Sequence, residues 1–145
     1  MVSTVLFVSV RNAARTQMAA AWVTALAHPD KVRAMSAGIS PADAVDNNVV
    51  DAMKEVGVNL ASSTPRLFKP HLEDPADLVV VIAPPAPDPP VCGVNEHELW
   101  LVDDPVGETP ERVREIRRHV ERLVRGMLSA RRWMPFGASM PPSRR

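Results

Sequence analysis

Along the chain, short runs of unbroken apolar side chains alternate with longer stretches whose apolar positions recur at helical spacing. The first run, Val5-Leu6-Phe7-Val8, is β-branched and aromatic. It fits a strand buried on both faces, as in a parallel sheet. From Thr16 to Ala27 the chain is rich in Ala, Met and Leu, with Met18, Ala21, Trp22 and Ala25 spaced as one helical stripe. Val32 to Ser36 predicts a second strand. Asp46 to Val56 predicts a helix, with Asp46 as its N-cap and Gly57 as its left-handed stop. Asp77 to Ile82 and Leu99 to Val102 predict two further strands. Thr109 to Ala130 sets Val113, Ile116, Val120, Leu123, Val124 and Leu128 on one face against Arg and Glu on the other, an amphipathic closing helix.

Strands alternating with helices imply an α/β fold: a three-layer, doubly wound, parallel four-stranded sheet with right-handed crossovers. Ligands in such sheets bind beyond the carboxyl ends of the strands. Three loops are expected there: Ser9–Arg15, Ala83–Gly93 and Asp103–Gly107. The segment 83–90 holds five prolines, which exclude helix and central strand and favour polyproline II geometry. It is expected to be a stiff surface loop, or else a docking segment for a protein partner.

Composition narrows the classes. The chain has 145 residues and 46 % apolar side chains, enough for one domain with a real core. Residues 1–130 are expected to form that domain, and the Arg- and Pro-rich residues 131–145 a poorly ordered tail. The 17 basic and 17 acidic side chains cancel, which argues against a global grip on nucleic acid. No apolar run is long enough for a membrane span, and Met1–Val10 lacks the features of a signal peptide. The single cysteine, Cys92, excludes an intramolecular disulfide and a multi-cysteine metal site. No metal and no cofactor are expected, and a cytoplasmic location is.

The candidate chemistry lies after the first strand. A buried strand, a short loop and a helix start together offer unpaired amides and the positive end of a macrodipole to an anion. Successive loop amides can form a nest. In Ser9-Val10-Arg11-Asn12-Ala13-Ala14-Arg15-Thr16, Arg15 can fork onto two oxygens of a phosphate-like group. Asn12 tolerates the left-handed conformation of a tight loop, and Thr16 can donate its hydroxyl to position 9. Every residue from Ser9 to Thr16 is therefore a candidate anion-binding position.

This segment resembles the phosphate loop of the low-molecular-weight protein tyrosine phosphatases and the related thioredoxin-coupled arsenate reductases. Their motif is Cys, five residues, Arg, then Ser or Thr, with Asn fourth. The resemblance continues through Gln17–Trp22, Ser36-Ala37-Gly38, Glu55–Val58, Ala76–Val80, Trp100–Pro105 and Glu111–Ile116, so it runs from Thr4 to about Leu128. The arsenate reductase branch is the nearer one. The resemblance implies the four-stranded fold of that family. It assigns the nucleophile position to Ser9, the main anion contact to Arg15 and the general-acid position to Asp104, with Asp103 beside it. Mutual repulsion within such a carboxylate pair could raise a pKa for that role.

Three departures qualify the implied activity. The family's first motif residue is a cysteine thiolate, whereas a serine hydroxyl is too weak an acid for the same field to ionise, and the loop supplies no general base. His28, His71, His97 and His119 have no evident place beside it. Prolines or Asp stand where the arsenate reductase branch carries its relay cysteines, so the disulfide relay should be absent and Cys92 a bystander. No tyrosine is present to form an aromatic wall.

Three functions remain open. One is an oxyanion binder for phosphate, arsenate or a phosphorylated ligand, with little or no catalysis. Another is a phosphatase or arsenate reductase, slow through Ser9 or active if residue 9 stands for an engineered Cys→Ser change. The last is an interaction module that uses the proline-rich loop or the Arg-rich tail and leaves the anion pocket vacant. The altered relay positions favour natural loss over an engineered trap.

Overall fold

The computed structural model describes residues 1–69, 76–85, 94 and 97–135. Four strands, β1 (Ser3–Ser9), β2 (Val32–Gly38), β3 (Leu78–Ala83) and β4 (Glu98–Leu101), form one parallel sheet in the order β2-β1-β3-β4. Three helices accompany it: α1 (Arg15–Leu26), α2 (Asn47–Lys54) and α3 (Pro110–Ala130). The α/β architecture expected from the sequence is the one found. β1 runs two residues further at its start and one at its end than its apolar run, and β2 ends on Gly38 rather than Ser36.

Strand alternation sorts the core into two clusters. Val5 and Phe7 of β1, Val80 and Ile82 of β3 and Trp100 of β4 face the helices, packing with Met18 and Trp22 of α1, Val49 and Met53 of α2 and Ile116 to Leu128 of α3. Leu6, Val8, Ala37 and Val81 point to the other face, where Ile39, Phe68 and Ala76 cover them. The connection from β2 to β3 thus begins with α2 on the helical side. It then passes the β2 edge, where Leu67 pairs with Gly38, and Phe68 and Ala76 pack on the far side.

The caps explain where the helices begin. Asp46 accepts from the Val49 N–H at 3.3 Å, and Thr109 accepts from the Arg112 N–H at 3.2 Å ahead of Pro110. Gly57, with φ 81°, ends the α2 region as the sequence suggested.

Two helix faces differ from expectation. On α1, Met18 and Trp22 are buried but Ala25 is exposed and Ala21 only half-buried; Thr16, Gln17, Ala19 and Val23 are buried instead. Alanine fits either side of a helix, so the polar anchors at the start of α1 decide its rotation. On α3, Arg117 and Glu121 lie buried within the apolar face. Arg117 donates to the Ala52 carbonyl at 2.7 Å and to Glu55 at 2.8 Å, while Glu121 takes Arg125 at 2.8 Å. Hydrogen bonds from Arg114 and Arg117 hold the Glu55 carboxyl down to about 2, so this pair clamps α3 to the end of α2.

Beyond α3 the chain folds back rather than leaving the domain at once. Trp133 and Met134 pack against the core, the Trp133 carbonyl accepts from the His28 N–H, and Arg131 lies 5.6 Å from the Trp133 ring centroid. The rest of the expected tail, residues 136–145, lies outside the described residues, as do residues 86–93 of the proline-rich loop with Cys92, and His71. Among the described residues no helix is long and apolar enough to cross a membrane.

Candidate functional site

At the carboxyl ends of β1 and β2 lies a hollow of about 260 Å³. Ser9, Arg11, Asn12, Ala13, Ala14 and Arg15 form one part of it. Asp104 and Val106 come from the loop after β4, and Ala42, Ala44 and Asp46 from the segment between β2 and α2. Of the three loops expected here, two arrive; the third lies mostly outside the described residues. The 39–46 segment is a contributor that the sequence did not flag.

That segment sets the conformation of the loop after β1. Ile39, Ser40, Ala42 and Asp46 donate their N–H groups to the carbonyls of Ser9, Val10, Arg11 and Ala13 at 2.8–3.1 Å. The remaining carbonyl, Asn12, accepts from Gln17 Nε2 at 3.0 Å. Every carbonyl from Ser9 to Ala13 is therefore spent on neighbouring protein. No described residue accepts from the N–H groups of Val10, Arg11, Ala13, Ala14 or Arg15. Helix α1 follows its N-cap residue Ala14 without a side-chain cap and without an acid in its first turn. Its free amides are available to a guest of negative charge.

Asn12 holds the turn. Its φ of 52° is the left-handed conformation anticipated for it, and it is fully buried. Its Oδ1 accepts from the Arg66 backbone N–H at 3.0 Å, a group that can only donate, which fixes the amide orientation. Nδ2 then donates to Thr16 Oγ1 at 2.8 Å. Gly38 makes the close approach possible: a Cβ there would stand 2.8 Å from the Val10 carbonyl oxygen and 2.9 Å from Asn12 Cβ.

These bonds also orient the hydroxyls. Ser9 Oγ accepts from the Asn12 N–H at 3.0 Å and lies 3.1 Å from Thr16 Oγ1. Thr16 is fully buried, and its hydroxyl hydrogen has no other acceptor among the described residues. It must go to Ser9. Both Ser9 lone pairs are then occupied, and the Ser9 hydrogen is left without a protein partner.

Arg15 donates to the Val102 carbonyl at 2.9 Å, which ties it to the end of β4. Burial pulls its guanidinium below the ordinary value, and the negative charges of Asp104 and then Asp103 oppose that shift. Not every candidate reaches the hollow. The Val10 side chain is exposed, and Thr16 stands behind Ser9 rather than on the lining. The two adjacent aspartates do not form a face-to-face pair either. Asp103 turns to Arg112, and Asp104 alone lines the hollow, its Oδ1 accepting from the Val106 N–H at 3.1 Å. Among the described residues no cluster of metal-ligating side chains is present.

The family model for the low-molecular-weight phosphotyrosine protein phosphatases matches residues 4–86. The chain belongs to that family. Arsenate reductase 1 of Bacillus cereus is 36% identical over 109 residues, covering 72% of this chain and 78% of its own length. A crystal structure of arsenate reductase from Archaeoglobus fulgidus superposes with a TM-score of 0.72 at 28% identity, covering 86% of this chain and 98% of that one. A second solved structure, an arsenate reductase in the phosphate-binding state, gives a TM-score of 0.72 at 26% identity over 88% of this chain and 98% of its own. The resemblance read from the loop motif is thereby confirmed at the level of the family and its fold.

Proposed function

We propose that this chain binds a phosphate-like oxyanion, free or carried by a phosphorylated ligand, in the loop from Ser9 to Thr16, and that it performs little or no covalent chemistry there. The observation that carries this reading is the outward engagement of every carbonyl from Ser9 to Ala13, which leaves the amides and the Arg15 fork around one hollow. The related arsenate reductase in its phosphate-binding state supports the same ligand class. Ser9 contributes as a donor, since its hydrogen is unspent. It does not serve as an attacking group: its side-chain neighbour is the Thr16 hydroxyl, and among the described residues no histidine or carboxylate takes its proton. Thioredoxin-coupled arsenate reduction is not part of this proposal, because Ser9 cannot form the first disulfide.

Thermal unfolding with and without millimolar phosphate or arsenate tests the proposal. A ligand at 100 times its dissociation constant adds roughly 2.7 kcal/mol to stability. The expected result is a rise in Tm with either anion that disappears in Arg15→Ala. An equal rise in both proteins would remove Arg15 from the site, and no rise at any concentration would remove the oxyanion reading. The enzymatic alternative draws on family membership. It requires aryl phosphate hydrolysis or arsenate reduction by the chain as it stands, and absence of both in the same preparation excludes it.

A further inference from the structure

The lining of the hollow beyond the phosphate loop is unusual for a plain anion site. Ala42, Ala44 and Val106 supply small apolar wall, and the carboxylates of Asp46 and Asp104 supply negative charge beside Arg11 and Arg15. Each carboxylate is half used. Asp104 accepts through Oδ1 from Val106, and Asp46 accepts through Oδ2 from Val49 at a long 3.3 Å. The second oxygen of each has no partner among the described residues. Asp103 differs, since Arg112 neutralises it outside the lining.

Two half-free carboxylates beside an anion cradle weaken its hold on inorganic phosphate, and with no described base beside Ser9 there is no leaving group for Asp104 to protonate. Their charge is satisfied if the guest brings a cation of its own. Among the described residues no aromatic side chain lines the hollow, so a stacked ring is not what its described walls suit. At about 260 Å³ it has room for a phosphate and a short aliphatic arm.

We propose that the hollow selects phosphorylated ligands whose organic end carries a positive charge, a phosphoalkylammonium compound being the simplest. The loop amides, Ser9 and Arg15 hold the phosphate, and Asp104 with Asp46 holds the ammonium group. This rests on the oxyanion reading above, and its test separates the two.

Calorimetric titration of the full chain is run with inorganic phosphate, then with two matched pairs: O-phosphoethanolamine against ethyl phosphate, and 3-aminopropyl phosphate against propyl phosphate. The expected result is that phosphate binds and that the ammonium member of at least one pair binds about fivefold tighter than its alkyl twin, the scale of a partly solvated ion pair. That preference should shrink as salt is raised, and should fall toward unity in Asp104→Asn and in part in Asp46→Asn. Equal binding of the twins in both pairs overturns the inference while leaving the oxyanion reading intact. Failure of phosphate and all four esters to bind overturns both. A preference that survives both substitutions overturns the assignment to these carboxylates. Should either variant fail to fold, the wild-type twin ratio and its salt dependence decide the matter without it.

Discussion

The loop from Ser9 to Thr16 and the loop from Val102 to Gly107 meet at one hollow but are built by opposite means. In the first, Ser9, Asn12 and Thr16 are buried polar residues tied into one hydrogen-bond network, and the backbone is pinned by four N–H groups of the 39–46 segment. In the second, Asp103, Asp104 and Val106 are exposed, and the described bonds of the carboxylates are one short turn and one pair to Arg112. The difference teaches that shape and charge are divided between them. A preformed cradle recognises an oxyanion without reorganising. A solvated wall carries charge and adapts to whatever the oxyanion is attached to.

The largest effect expected on this contrast comes from Asn12→Ala. Alanine must hold φ 52° without a side chain that compensates it, and the Arg66 N–H loses its acceptor. Together these cost about 2–4 kcal/mol, measured by urea unfolding, and phosphate stabilisation should be lost with them. Asn12→Gly separates the two parts, because glycine recovers the backbone cost but not the hydrogen bonds. Loss of under about 0.5 kcal/mol in Asn12→Ala, the range of an ordinary surface change, would mean the loop is not held as described.

Two glycines, one packed against the phosphate loop and one within the second loop, sharpen the comparison. In Gly38→Ala the new Cβ meets backbone of the phosphate loop at 2.8 Å, so the loop itself must shift. Overpacking of this kind costs about 1–3 kcal/mol, and the Tm rise with phosphate should fall too. Gly107→Ala meets nothing within 4 Å but must hold φ +79°, so it carries only backbone strain of about 1 kcal/mol. Its phosphate response, relative to its own baseline Tm, should match the wild type. Equal loss of phosphate response in both would show that the two loops form one cooperative unit.

The same contrast explains how much could be read from the sequence. The cradle is a contiguous string, so Asn12, Arg15 and Thr16 were legible from local backbone and hydrogen-bonding chemistry, and the apolar runs gave the strands that present them. The rest of the hollow is assembled from separate stretches. Ala42 and Ala44 carry no chemical signature, and their place follows from backbone bonds to Arg11 and Ala13 made by Ala42 and Asp46. Gln17, an anchor of the loop, reads as one more helix former until its amide is seen on the Asn12 carbonyl. The division of labour between Asp103 and Asp104 depends on Arg112, a turn of α3 away in the fold, and adjacency in sequence gave no hint of it.

Ser9→Cys is the smallest of these changes and the one that asks most directly what the cradle is for. With serine, position 9 is neutral throughout the accessible pH range and donates its hydrogen to the guest. A cysteine in the same place meets the Asn12 N–H, the Thr16 hydroxyl and the free amides that now surround Ser9, all of which favour a thiolate. As pH rises through the thiol pKa, from an ordinary value of about 8.5 downward by these donors, the variant exchanges a donor for a negative charge. Phosphate should then bind more weakly to the variant, and the ratio of its dissociation constant to the wild type's should grow with pH by about tenfold. Taking the ratio cancels the titration of phosphate itself. A ratio already raised at pH 5 and flat above it would mean that the thiolate is present throughout. A ratio near unity at pH 5 to 7, rising only toward the ordinary thiol value of about 8.5, would mean that the loop does not stabilise a charge at position 9, and the network drawn around Ser9 would lose its role in anion binding.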